Sequence, residues 1–184
     1  MRLLGLSGSL RRGSYNARLV RAAAELLPPP AELVVYERLR AVPPYDADLD
    51  ADPWPAGARD LRDAVADAHA LLIATPEYNH SVPGQLKNAI DWLSRPAGAS
   101  VLRNVPVAVA GASTGQFGAV WAQAELRKVL GATGARVLDR ELGVALADHA
   151  FDGAGRLVDA ALVDAFAGLV GELVSEAERS LLAA

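Results

Sequence analysis

Residues 1–16 of the chain, MRLLGLSGSLRRGSYN, decide the fold. The apolar run at residues 3–6 predicts a short buried strand, the polar, glycine-containing residues 8–14 predict a loop, and the apolar spacing after Tyr15 predicts a helix that ends near Leu27. A strand that passes through such a loop into a helix begins a βα unit, whose helix crosses over to a parallel neighbouring strand. These residues therefore predict a parallel sheet covered by helices.

The rest of the chain repeats this alternation. Further strands are predicted at residues 33–36, 70–74, 105–110 and 135–138, and further helices around residues 61–68, from near residues 81–83, and over residues 117–132 and 158–182. Strict alternation implies a doubly wound α/β fold of five parallel strands in the order 2-1-3-4-5, with helices on both faces. The length of 184 residues suits a single domain, residues 1–184. Residues 139–157 fit no element.

The composition narrows the classes of function. Hydrophobic residues make up 52% of the chain and the net charge is -4, which suits a globular protein and disfavours binding to nucleic acid. Without cysteine there are no disulfides, thiolate nucleophiles or iron–sulfur ligands, and the three histidines are too scattered to predict a metal site. There is no secretory signal and no run of ~20 apolar residues, so we expect a cytoplasmic protein that does not enter a membrane.

Residues 8–16, the first loop, have the composition of a phosphate site. The loop leaves a predicted buried strand and opens a helix, whose free backbone N–H groups and positive dipole end favour an anion. The candidate donors to phosphate oxygens are the hydroxyls of Ser9 and Ser14, the side-chain amide of Asn16, and the guanidinium of Arg11 or Arg12. The alternative interpretation is an ordinary turn in which Ser14 caps the helix.

Two further loops follow predicted strands at the same edge of the sheet. Residues 76–84, the second loop, contain an aromatic ring, an amide and a carboxylate between prolines, which suits the edge and face of a planar heterocycle. We expect Glu77 to anchor its own loop rather than to act as an acid. Residues 111–118, the third loop, contain three glycines, which permit close approach to a ligand. The alternative for the second loop is a purely structural connection with Ser81 as a cap.

The first and second loops together resemble the motifs of a known family, the NADPH-dependent FMN reductases. Residues 8–16, GSLRRGSYN, are similar to its phosphate loop G-S-x-R-x-x-S-x-N, and residues 76–79, PEYN, are similar to its P-E-Y-N ring loop. The second match continues through Ser81, Pro83, Leu86, Lys87, Asn88, Asp91 and Trp92. The family has a flavodoxin-like fold and includes quinone, azo-dye and chromate reductases, and the likeness runs over most of the chain.

The resemblance implies which residues hold the cofactor, FMN. The residues that match those in contact with its phosphate are Ser9, Arg11, Ser14 and Asn16. Those that match the lining of the flavin ring are Pro76, Glu77, Tyr78 and Asn79, largely through main-chain atoms, and those on the third loop are Ser113, Thr114 and Gly115. No catalytic side chain and no metal is implied, because the flavin carries the chemistry. The homodimers or homotetramers usual in the family would bring Asp91 and Trp92 near a partner chain.

The resemblance also implies an activity. An enzyme of this family is an FMN-dependent oxidoreductase that transfers hydride from NADPH or NADH to FMN and then to a small-molecule electron acceptor, such as a quinone, an azo compound, a metal oxyanion or free flavin. The residues do not select among these acceptors or between the two donors. Two alternatives stay open: a flavodoxin-type electron carrier that oxidises no nicotinamide, and a binding or sensor protein without flavin.

Overall fold

A computed structural model describes residues 1–182 of the chain. The strands are β1 (Arg2–Ser7), β2 (Glu32–Tyr36), β3 (Ala70–Thr75), β4 (Pro106–Ala112), β5 (Arg136–Val137) and β6 (Gly143–Val144). The helices are α1 (Tyr15–Leu26), α2 (Ala56–Ala66), α3 (Gly84–Leu93), α4 (Val120–Ala132) and α5 (Ala160–Leu182), with short 3-10 turns at Leu39–Ala41 and Ala47–Leu49. Within residues 1–182, no helix combines the length and the apolar character needed to cross a membrane.

The strands form one parallel sheet in the order β2-β1-β3-β4-β5, which confirms the predicted flavodoxin-like order. Beyond the five predicted strands, the sheet contains a sixth, β6, which also pairs with β4. The first half of β4 pairs with β5 at Pro106 and Val107, whereas its last residues, Gly111 and Ala112, pair with β6. β6 lies inside residues 139–157, where a two-residue strand containing a glycine produces no apolar run to detect.

Two helices begin later than predicted, each for a local reason. α4 begins at Val120 rather than at residue 117, because Gly118 and Ala119 have φ angles of 57° and 62°, which no right-handed helix contains. α5 begins at Ala160 rather than at residue 158, and the Asp159 carboxylate accepts hydrogen bonds from two backbone N–H groups of its first turn. Such a cap satisfies donors that have no partner inside the helix.

The two faces of the sheet carry side chains of different size. Helices α2, α3 and α4 cover a face built from leucine, isoleucine and valine, such as Leu4, Ile73 and Val109. Helices α1 and α5 cover the opposite face, where β3 and β4 contribute mainly alanine, including Ala74 and Ala110. Since alanine projects little from the sheet, α1 and α5 pack close to the strands.

Gly5 permits the closest of these approaches on β1. A Cβ atom at Gly5 would lie 2.5 Å from Cγ1 of Val20 on α1 and 3.3 Å from a methyl group of Leu33 on β2. Val20 is fully buried, so it has little room to move aside. The absence of a side chain at Gly5 thus sets how near α1 lies to the sheet, and with it the position of the first loop.

We predict that Gly5→Ala lowers the free energy of unfolding by about 1–3 kcal/mol, because the added methyl group overpacks the contact with Val20. The matched control is Gly171→Ala in α5, where a Cβ would meet no atom within 4 Å. That change should raise the free energy of unfolding by about 0.5–1 kcal/mol, since alanine is the better helix residue. Urea unfolding of both variants measures the difference, and equal effects would contradict the packing argument.

Candidate functional site

The loops that follow β1, β3 and β4 enclose a cavity of about 250 Å³, called here the loop cavity. Its lining consists of Ser9, Arg11, Ser14, Tyr15, Asn16, Pro76, Glu77, Tyr78, Ala112, Ser113 and Thr114. Every site residue expected from the sequence is in this lining except Asn79 and Gly115. The three loops, which are far apart in the sequence, therefore meet in one place at the carboxyl ends of the strands, as expected for a doubly wound sheet.

The first loop offers several hydrogen-bond donors to the loop cavity. Ser14 is the N-cap of α1, and its hydroxyl oxygen accepts a hydrogen bond from Ala17 N–H at 3.2 Å. The capping role that competed with phosphate binding is therefore real, but it leaves the Ser14 hydroxyl hydrogen free to donate. Within residues 1–182, the N–H groups of Tyr15 and Asn16 have no hydrogen-bond acceptor, as is usual in a first helical turn.

The structure distinguishes the two neighbouring arginines. Arg11 lines the loop cavity, and its guanidinium donates to Gly13 O at 2.8 Å and lies 5.1 Å from the centre of the Tyr15 ring. Arg12 is exposed and is not part of the lining. Arg11 is consequently the cation that faces this cavity.

Asn16 makes a structural connection that the sequence did not indicate. Its side-chain amide donates to Ala112 O and accepts from Ala112 N–H, both at 2.9 Å, and the residue is 3% exposed. Two backbone groups at the end of β4 are thereby satisfied by a side chain at the start of α1. The amide expected to donate to a phosphate keeps only one N–H hydrogen free.

A tight turn shapes the second loop. Tyr78 and Ser81 exchange two backbone hydrogen bonds of 3.1 Å, and between them Asn79 and His80 have φ angles of 54° and 60°. Two consecutive positive φ angles define a type I′ turn, for which asparagine is a favoured residue. Asn79 is exposed at the tip of this turn, which explains why it does not line the cavity while Tyr78 does.

Two carboxylates fasten the second loop to α4. One Glu77 oxygen accepts hydrogen bonds from Trp121 N–H at 3.1 Å and Ala122 N–H at 3.2 Å, in the first turn of α4. The negative charge of Glu77 is stabilised there by the positive end of the helix dipole. The expected anchoring role is confirmed, although Glu77 binds α4 rather than its own loop.

Glu125 makes the second of these attachments from within α4. It accepts a hydrogen bond from the Ser81 hydroxyl at 2.6 Å and one from Val82 N–H at 3.2 Å. These hydrogen bonds, of which the one from Ser81 has the larger effect, hold the pKa of Glu125 below its usual value. Ser81 thus binds a distant carboxylate and does not cap α3, as the alternative interpretation of this loop supposed.

Residues 139–157, which the sequence left unassigned, support the third loop. The backbone of Ser113 bonds to Val144 and Ala147, and Gly115 O accepts from Leu146 N–H. The ring of Phe151, from the same segment, stacks on Tyr15 with 6.2 Å between ring centres and an interplanar angle of 11°. Residues 139–157 therefore contact both the first loop and the third loop from outside the loop cavity.

Trp92, which the resemblance places near a partner chain, is buried within its own chain and presents no surface for such a contact. Trp92 is 1% exposed, its indole N–H donates to Pro43 O at 2.8 Å, and its ring packs against Tyr45 and Trp54. Asp91 is bound to Lys87 at 2.7 Å on the surface of α3. Both charged residues line a larger cavity, about 780 Å³, which contains no residue of the three loops.

Comparison with known proteins agrees with this geometry. The family model for NADPH-dependent FMN reductase matches residues 1–149. An NAD(P)H-dependent FMN reductase of Pseudomonas aeruginosa is 41% identical over 160 residues, which are 86% of this chain and 85% of that protein. A quinone reductase of Escherichia coli is 33% identical over 171 residues, covering 91% and 90% of the two chains.

A solved structure agrees over nearly the full length. FerB, a flavoenzyme NAD(P)H:(acceptor) oxidoreductase from Paracoccus denitrificans, is similar with a TM-score of 0.88 and 33% identity, covering 97% of each chain. A flavodoxin from Pseudomonas aeruginosa, at 17% identity and a TM-score of 0.60, shares the fold alone. The two loop motifs, the strand order and these matches together show that the chain belongs to the NADPH-dependent FMN reductase family.

Proposed function

We propose that this enzyme uses FMN held in the loop cavity to pass electrons from a reduced nicotinamide cofactor to a quinone or a similar small acceptor. The observation that carries the proposal is the meeting of all three loops in one cavity, with anion donors on the first loop and a fixed peptide turn on the second. Bound FMN supplies the hydride acceptor and donor, so the protein itself needs no acid or base for the redox step.

The donor set fits the phosphate of FMN. A phosphate monoester presents three terminal oxygens, and the first loop offers the hydroxyls of Ser9 and Ser14, the guanidinium of Arg11, and the N–H groups at the start of α1. The lining includes one other charged group, Glu77, whose carboxylate is already bound to α4. Glu77 therefore leaves the charge of Arg11 available to a phosphate. We propose Ser9, Arg11, Ser14 and Asn16 as the phosphate-binding residues.

The second and third loops fit the flavin ring. Pro76, Glu77 and Tyr78 line the cavity opposite the first loop, and Ser113 and Thr114 close it from β4. The backbone of the second loop is fixed by its type I′ turn and by two carboxylates, which lowers the entropy cost of holding a flat ligand. We propose that these residues orient the ring, with Asn79 and Gly115 acting through the turns in which they lie.

Relatives support a quinone as the acceptor. One relative with 33% identity is named a quinone reductase, and a 2-hydroxy-1,4-benzoquinone reductase of a Burkholderia species is 47% identical over 122 residues. The similarity to a flavodoxin, at 17% identity, reflects the fold and does not support a flavodoxin-type carrier. We also propose a homodimer or homotetramer, because Tyr78, Phe117 and Trp121 are 51%, 63% and 45% exposed around the second loop.

Steady-state kinetics test this function. We expect the yellow, FMN-loaded protein to oxidise NADPH or NADH in the presence of a quinone, with parallel double-reciprocal lines, because the nicotinamide product must leave before the acceptor reaches the same flavin. Intersecting lines would contradict this ping-pong order. A protein that binds FMN but oxidises neither donor with any acceptor would instead be an electron carrier.

The two arginines of the first loop offer a matched test of the phosphate site. Arg11→Ala should weaken FMN binding by about 1.5–3 kcal/mol, the contribution of a hydrogen bond to a charged group. Arg12→Ala removes the same charge one residue away but outside the loop cavity, and should change FMN affinity little. Titration of the apoprotein with FMN, followed by flavin fluorescence, measures both. Equal losses would mean that only the general charge of the loop matters.

A further inference from the structure

A second cavity, of about 370 Å³, lies on the other side of the first loop, at the carboxyl end of β2. We call it the arginine cavity, because its lining includes Arg11, Arg12, Arg21 and Arg40. These arginines come from three elements: the first loop, helix α1 and the 3-10 turn at Leu39–Ala41. The arginine cavity is therefore a locally positive region in a chain whose net charge is -4.

The charges in this cavity are not balanced by the protein. Glu37 is the one carboxylate in the lining, and it is paired with Arg21 at 2.9 Å. Arg40 donates to Leu10 O at 2.9 Å, a neutral acceptor. Arg12 forms no ion pair and donates no side-chain hydrogen bond within residues 1–182. A nearby cation, Arg38, does not add to this unbalanced charge, because the Asp60 carboxylate binds its guanidinium at 2.8 Å.

We propose that the arginine cavity binds the 2′-phosphate on the adenosine of NADPH and thereby selects NADPH over NADH. The inference rests on the proposed function, in which a nicotinamide ring reaches the flavin at the second and third loops. A phosphate monoester carries up to two charges and three acceptor oxygens, which match Arg12 and Arg40 as charged donors. Arg21 supplies a further guanidinium, which donates to the ligand while it stays paired with Glu37.

The cavity lies away from the proposed position of the flavin ring, as expected for a site that binds the adenosine end of the dinucleotide. Neighbouring strands lie about 4.8 Å apart, so the end of β2 is roughly 10 Å from the end of β3 and roughly 14 Å from the end of β4. The flavin ring is proposed to lie at these last two strands. The 2′-phosphate is at the opposite end of the dinucleotide from the nicotinamide, whereas the pyrophosphate is midway.

The experiment compares binding of NADP⁺ and NAD⁺ to the oxidised, FMN-loaded protein by isothermal titration calorimetry. The unmodified protein should bind NADP⁺ at least about tenfold more tightly than NAD⁺. Arg12→Glu should remove most of this preference by weakening NADP⁺ about tenfold or more. Glu37→Gln should strengthen NADP⁺ binding severalfold, a gain that damage to the fold would not produce.

Arg59→Glu on α2 is the charge-matched control, since Arg59 is exposed and lines none of the cavities described above. It should leave the ratio of the two affinities unchanged. Equal weakening of NADP⁺ and NAD⁺ by Arg12→Glu would assign the cavity to the pyrophosphate and overturn the proposal, as would an unmodified protein without preference. A different result would contradict the proposed function alone: neither NADPH nor NADH is oxidised, while the preference for NADP⁺ persists.

Discussion

The pair of hydrogen bonds between the Asn16 side chain and the backbone of Ala112 is the constraint on which the site depends. It joins the start of α1 to the end of β4 across the intervening strand β3, and both residues are almost fully buried. Breaking it would leave backbone groups of β4 without partners in a dry environment, which is costly. The close contact of α1 with the sheet at Gly5 brings the helix near enough for this bond to form.

The second loop depends on a different set of attachments. Its turn places two residues at positive φ angles, a conformation that costs energy for side chains other than glycine. Glu77 and Glu125 hold the loop against α4 and offset this cost. Most polar groups around the loop cavity thus serve to position the loops, which suits a protein whose reaction is carried out by a bound flavin.

The sequence predicts the parts of the structure that local patterns determine. The alternation of strands and helices along the chain predicts the strand order, and the positions of three loops after β1, β3 and β4 predict that these loops meet. The sequence does not reveal pairings over long separations: Asn16 and Ala112 are 96 residues apart, and Ser81 and Glu125 are 44 apart. It also misses β6, whose two residues are fixed by β4 rather than by their own pattern.

The first loop lies between the two cavities proposed to bind anions: Arg11 is in the lining of both, whereas Arg12 lines the arginine cavity alone. The central claim is that the loop cavity, not its neighbour, holds the FMN phosphate. A crystal structure of the FMN complex tests this most directly. The account predicts phosphate oxygens within hydrogen-bond distance of Ser9, Arg11 and Ser14, with the ring against residues 76–78. A phosphate bound by Arg12 and Arg40 would contradict it.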